Sequence, residues 1–301
     1  MPSIESSASV SIPVSAEIRS PVSGGRAWQG RATLTYRRQG DKTVPLVQTQ
    51  APLKVQRPFY PEANRRCHTI LIHTAGGMVG GDRLAYDLTL EPQTQALITT
   101  AAAAKVYNDQ PHQRPAQVTG IVRVGEGARL EWLPQESILF EGACYHQTWR
   151  VELAPQAHWL GWDILRLGRT ARGERFVAGE VRSRFEIWQD EKPLWVDPQR
   201  FIANETRWHS PHALAGCPVV ATLAWVGSPV EREFVNHIRD LWQTTTQNRG
   251  EAGVSRLQAG LVCRYRGHST SEVRRWFEAV WVQIRHTHGG QDPILPRVWQ
   301  R

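Results

Sequence analysis

The sequence predicts a mainly β protein, a multi-stranded body followed by about two C-terminal α-helices, and three observations carry that expectation. Between residues 30 and 225, short alternating segments recur about every ten residues, divided by Gly, Pro, Asn or Asp. Two Gly-Gly pairs, 76–77 and 80–81, stand between segments that read as strands. After Val226 the apolar period changes from two to that of a helix.

Residues 1–25 are rich in Ser with scattered Pro and cannot offset their ordering entropy by burial, so a flexible tail is expected ahead of one β-rich domain over 26–301. Residues 69–72 form an apolar strand. In 83–90, Leu84, Tyr86, Leu88 and Leu90 alternate with Arg83, Ala85, Asp87 and Thr89, as in a half-buried strand. Between them His73-Thr74-Ala75-Gly76-Gly77-Met78-Val79-Gly80-Gly81-Asp82 must turn sharply, because glycine suits positive φ and close backbone approach. Further strands are read at 118–124, 129–133, 149–153, 184–188 and 218–226, the last apolar enough to be central. No period repeats along them, so the pattern alone fits a sandwich as well as a solenoid.

Ser228 and Pro229 supply an N-cap and a first-turn proline for a helix of about sixteen residues carrying Val230, Phe234, Ile238, Leu241 and Trp242. A strand over 256–265 intervenes. Ser269 with Glu272 then reads as a capping box ahead of Val273, Trp276, Phe277, Val280, Trp281 and Ile284, a stripe most simply explained as a core face.

The 301 residues carry a formal charge of +8, spread mostly as Arg with no long basic run, which favours an acidic partner. Aromatic residues do not interleave with the basic ones, so nucleic-acid binding is not expected. The N-terminus lacks the features of a secretory signal and no run approaches a membrane span, so no membrane association and a cytoplasmic location are expected. Cys67, Cys144, Cys217 and Cys263 include no Cys-x-x-Cys pair and read as reduced, mostly buried thiols. The glycine loop lacks the Lys-Ser/Thr of a P-loop, and no nucleophile elbow occurs. The eleven histidines cluster only weakly: Cys67-His68 with His73, Cys144 with His146, His209 with His212, and His286 with His288.

The 73–82 segment resembles one in the urease accessory protein UreD (UreH) family, and the resemblance continues through 99–107 (TTAAAAKVY), 131–143 (EWLPQESILFEGA), Leu167-Gly168-Arg169, Gly173-Glu174-Arg175-Phe176 and Pro296-Arg297-Val298-Trp299. It spans roughly residues 26 to 300. It implies a β-helical-like stack of strands, and a non-catalytic scaffold that joins UreF and the GTPase UreG, binds apo-urease and assists nickel delivery, with no tightly bound cofactor and nickel in transit. The Ser-rich N-terminus and the His-containing stretch 285–290 do not match the family pattern, so it implies no partner contacts through them.

Asp82, Glu136, Glu141 and Asp163 lie in or beside these blocks among apolar and glycine-rich neighbours, where an ionised group must be paired or hydrated. They are the candidate metal-transit residues, lining a wet internal path that holds divalent ions weakly enough to pass them on. Salt bridging to the many arginines is the plainer explanation for each, as for Glu174. Two other functions stay open: a β-rich enzyme acting on a polymer through paired carboxylates such as Glu136 and Glu141, and an interaction module without a metal role.

Overall fold

Apolar alternation writes strands along most of the chain, and the strands wind into a flattened coil. A computed structural model describes residues 27–62, 66–110, 112–247, 249–289 and 292–299; the tail expected over 1–25 lies outside them. The strands β1 (Gln29–Gln39), β2 (Lys42–Gln50) and β3 (Leu53–Val55) lead in. The coil comprises β4 (Arg66–His73), β5 (Arg83–Leu90), β6 (Gln95–Thr100), β7 (Ala104–Val106), β8 (Ala116–Val124), β9 (Arg129–Trp132), β10 (Ser137–Leu139), β11 (Cys144–Leu153), β12 (His158–Leu167) and β13 (Glu180–Gln189). Then come β14 (Lys192–Ile202), the short α1 (Glu205–His209), β15 (Val219–Val226), α2 (Arg232–Thr245), β16 (Glu251–Leu257), β17 (Gly260–Gly267) and α3 (Thr270–Gly289).

Successive long strands of the coil alternate between two facing sheets. The first has the order β14-β13-β11-β8-β5-β1-β2, and the second β16-β17-β15-β12-β9-β6-β4-β3, with β7 and β10 joined to it beside β12. Within the coil, β5, β8, β11 and β13 are parallel, as are β4, β6, β9 and β12. This is the β-helical-like stack. Arg66, Gln95, Arg129 and His158 stand side by side, so successive coils are 29, 34 and 29 residues long. Unequal coils explain why the sequence shows no period.

One apolar core lies between the sheets and a second between the second sheet and the helices. Val273, Trp276, Phe277, Val280, Trp281 and Ile284 are at most 4% exposed and pack toward residues such as Leu160, Trp162 and Leu223, so the α3 stripe is a core face. Burying each large side chain there is worth about 1.5–3 kcal/mol. Among the described residues no helix is long and apolar enough to cross a membrane.

The helix layer is also tied down electrostatically. Arg285 of α3 donates to both oxygens of Glu62 (2.8 and 3.1 Å) and to Glu131 of β9 (3.0 Å), while Arg66 of β4 donates to Glu131 (2.5 Å). His68 Nε2 lies 2.9 Å from Glu62. All five side chains are buried, with two carboxylates against two guanidinium groups. Burial alone would raise the Glu62 carboxyl, but the bonds from His68 and Arg285 hold it at about 2.

Two sequence expectations are corrected. The first long helix starts at Arg232, not at Pro229, because the Ser228 hydroxyl is engaged by His158 Nε2 at 2.8 Å instead of capping, and Glu231 takes the N-cap position. The strand expected over 256–265 is two strands, β16 and β17, joined by a tight turn at Gln258 and Ala259. The capping box is half realised: Ser269 Oγ accepts the Glu272 N–H (3.2 Å), while the Glu272 carboxylate accepts from Arg249 N–H and Tyr265 Oη instead.

Arg285→Met should destabilise the protein by about 3–5 kcal/mol, since it leaves two buried carboxylates short of their partner. Urea unfolding of the two proteins measures this.

Candidate functional site

The two sheets do not close on each other everywhere: a cavity of about 510 Å³ remains between them. Aromatic rings prop its walls apart. Tyr86 stacks on Trp149 (5.6 Å), Trp149 on Phe185 (6.1 Å), and Trp132 crosses from the opposite sheet to Trp149 (4.4 Å). Gly120 makes room for this, because a Cβ there would lie 2.0 Å from the Trp149 ring.

One end of the cavity is bounded by Gly76, Gly77, Ala101 to Ala104 and the exposed Lys105. Small residues here leave backbone as the wall. Gly77 has φ +155 and a Cβ on it would lie 2.4 Å from the Tyr107 ring, so the glycine loop and the 104–107 segment can pack only as they are. His73 borders the same region. Burial holds its imidazole below the ordinary pKa, against an opposing pull from Asp82, and its Nε2 is buried with no hydrogen-bond partner.

The other end of the cavity is polar. Asp163 on β12 accepts a 2.5 Å hydrogen bond from Gln147 Nε2 on β11, which also donates to Ser183 Oγ on β13 (3.0 Å). Beyond them Asp197 on β14 accepts from Gln199 Nε2 (2.7 Å) and from Arg264 of β17 (2.6 Å). Asp163 retains some accessible surface, but that surface faces the cavity. Burial pushes its carboxyl up to about 7, opposed by the Gln147 bond and reinforced by Asp197. The group therefore titrates near neutrality, where a small change in surroundings or an arriving cation decides its charge.

The four carboxylates nominated from sequence are not gathered in one place. Only Asp163 lines the cavity. Asp82 is 1% exposed, and both its oxygens are used by the glycine loop and its neighbour, Oδ2 accepting from Val79 N–H (2.8 Å) and Oδ1 from Trp28 N–H (2.7 Å). Glu136 pairs with Arg274 of α3 at 3.2 Å. Glu141 sits in a turn where its backbone N–H donates to Glu174 (2.9 Å), and Glu174 itself pairs with Arg169. Of the histidine sets, His68 is bound to Glu62, His146 faces Glu180 (3.4 Å) and His209 faces Glu205 (3.5 Å). Among the described residues no three of His, Cys, Asp and Glu converge to hold a metal ion.

Sequence reasoning missed Gln147, Asp197, Gln199 and Arg264. A signal was present: Gln147 falls on the apolar phase of its strand between Tyr145 and Trp149, and Asp197 two residues after Trp195. A polar residue in an inward phase needs a partner or water.

The structure is thus a β-coil with a helix layer and a carboxylate in an inter-sheet hollow. Residues 29–300 match the model of the UreD urease accessory protein family. The chain is 55% identical over 274 residues to urease accessory protein UreD of Nostoc punctiforme, covering 91% of this chain and 96% of that protein. It is 52% identical over 276 residues to the UreD of a Nostoc species (91% and 97%), and 48% identical over 276 residues to that of Thermosynechococcus vestitus (91% and 99%). The chain belongs to the UreD urease accessory protein family, whose role is in urease maturation.

Because the folded Asp163 pKa lies above its ordinary value of 3.8, its contribution to stability is full below about pH 4 and is lost as pH rises through about 7. In metal-free buffer, Asp163→Asn should abolish that loss and stabilise the protein at pH 8 by up to about 4 kcal/mol. Melting temperatures of both proteins from pH 5 to 8 check the crossing.

Proposed function

We propose that this protein is a non-catalytic scaffold of urease maturation which, with UreF and the GTPase UreG, docks on apo-urease in the cytoplasm and conducts nickel toward the urease active site, the inter-sheet cavity being the passage. GTP hydrolysis belongs to UreG in this reading. The observation that carries it is Asp163, an ionisable carboxyl poised near neutrality that lines the inter-sheet hollow.

Nickel is a borderline cation that accepts imidazole and carboxylate. The hollow offers both, far from sufficiency for storage: an imidazole, His73, and the Asp163 carboxyl line it, and among the described residues no third ligand converges with them. Weak separated sites let an ion enter and leave, which suits transit. A proton leaves Asp163 when a cation arrives and returns when it departs, so the empty passage carries less uncompensated charge.

Asp163→Asn, coexpressed with apo-urease, UreF and UreG, should lower urease nickel content and activity several-fold while this chain still co-purifies with its partners. Asp87→Asn, which removes a carboxylate paired with Arg123 on the exposed surface, should load urease normally. Full loading by Asp163→Asn with the complex intact would favour an interaction module without a metal role.

A further inference from the structure

The polar end of the cavity does not stop at Asp163. Gln147, Ser183 and Gln199 stand side by side across β11, β13 and β14. In the facing sheet Asp163, Thr222 and Arg264 stand side by side across β12, β15 and β17. The two polar rows lie between the sheets and are cross-linked: Gln147 to Asp163 (2.5 Å), Gln199 to Thr222 (3.3 Å), and Arg264 to Asp197 (2.6 Å). Both run from the cavity toward the sheet edge, where β14 is the last strand of its sheet and β17 the last but one.

The next position in the second row is Gly253 of β16, directly beside Arg264. It is exposed, and a Cβ built there would meet nothing within 4 Å. The row therefore ends in open space, and the Arg264 side chain is what stands between that space and Asp197. The Arg264 side chain is 43% exposed while that of Asp197 is 9% exposed, so the bridge joins a partly solvated residue to a buried one.

We propose that Arg264 is the latch of this passage: bonded to Asp197 and Thr222 it closes the outer end of the polar rows, and swinging into solvent it opens them at Gly253. The proposal rests on the reading of the cavity as a cation passage and adds the residue that gates it. Because the Arg264 side chain already borders solvent, water can replace the bonds its guanidinium gives up on leaving Asp197 and Thr222. The guanidinium also supplies the positive charge that Asp197 needs when no cation is present, so an arriving divalent ion competes with Arg264 for the same carboxylate. Gln199 holds the other Asp197 oxygen, which keeps the carboxylate aimed across the gap when Arg264 leaves. Arg264 is thus a positioning and gating residue that contributes nothing to holding the ion itself.

The first arm of the test needs no nickel. Ser183→Cys places a thiol in the inner row, and its rate of labelling by a small cationic methanethiosulfonate is followed in the full chain within its complex, with labelling of the native cysteines in the parent protein subtracted. Adding Arg264→Gln should raise that rate several-fold, and Arg264→Lys should return it close to the original. Asp197→Asn, which releases the latch from the other side, should also raise it. A purely structural role would lower the melting temperature without changing access, so melting curves accompany each variant. Equal labelling rates in all four backgrounds would overturn the latch.

The second arm separates the latch from the passage. In a maturation mixture with apo-urease, UreF, UreG and Ni²⁺, Arg264→Gln should increase severalfold the nickel captured by an added chelator, with Asp163→Asn lowering delivery several-fold as above. If Asp163→Asn lowers delivery but Arg264→Gln leaves capture unchanged, the latch is wrong and the passage stands. If Asp163→Asn delivers normally, the passage fails and the latch falls with it.

Discussion

Register is the constraint on which the rest of this molecule depends. Side chains alternate between the faces of a strand, so a slip of one residue in any coil would turn its inward set outward. At the correct register Tyr86, Trp149 and Phe185 prop the sheets, and Gln147, Ser183 and Gln199 fall into one line facing Asp163, Thr222 and Arg264. Neither line exists in the sequence as a motif. Both are made by the fold, which sets residues 16 to 59 positions apart side by side on adjacent strands.

A polar line through a sandwich core is a poor device for stability. Each buried amide or carboxyl gives up its hydration, and the hydrogen bonds it regains inside return only part of that cost. Here the groups satisfy one another, yet an apolar set of equal volume would pack more favourably. Stability comes from elsewhere: the aromatic face of α3 against the second sheet, and the buried cluster of Arg66, Arg285, Glu62 and Glu131 that binds β4, β9 and α3 together. These tie the outer layer down, so the inner layer can keep a hollow and a titratable carboxyl without unfolding.

Coil strands such as β5 and β8 were legible because each carries its own alternation, and the α3 stripe because six apolar residues fall at helical spacing, whereas β6 and β12, covered on both faces, show no clear alternation and were not read from the sequence. Coil winding was not legible from the pattern, since coils of 29, 34 and 29 residues leave no period; only the family resemblance pointed to it. Local competition misled two readings. Ser228 looked like a cap but its hydroxyl serves His158 from a distant strand, and the 256–265 run concealed a two-residue turn. The site was legible in part, for the same reason. Asp82, Glu136 and Asp163 look alike in sequence, and tertiary partners sort them: the first closes the glycine loop, the second meets Arg274, and the third faces the cavity.

The account turns on whether a divalent cation enters the space between the sheets. Anomalous diffraction at the nickel absorption edge, from crystals of the protein equilibrated with Ni²⁺, locates the ion without reference to activity. The account predicts a peak inside the molecule, in the polar end of the cavity beside Asp163 and within reach of Gln147 and Asp197. Peaks confined to exterior histidines such as His209 and His212, with the interior empty, would contradict it.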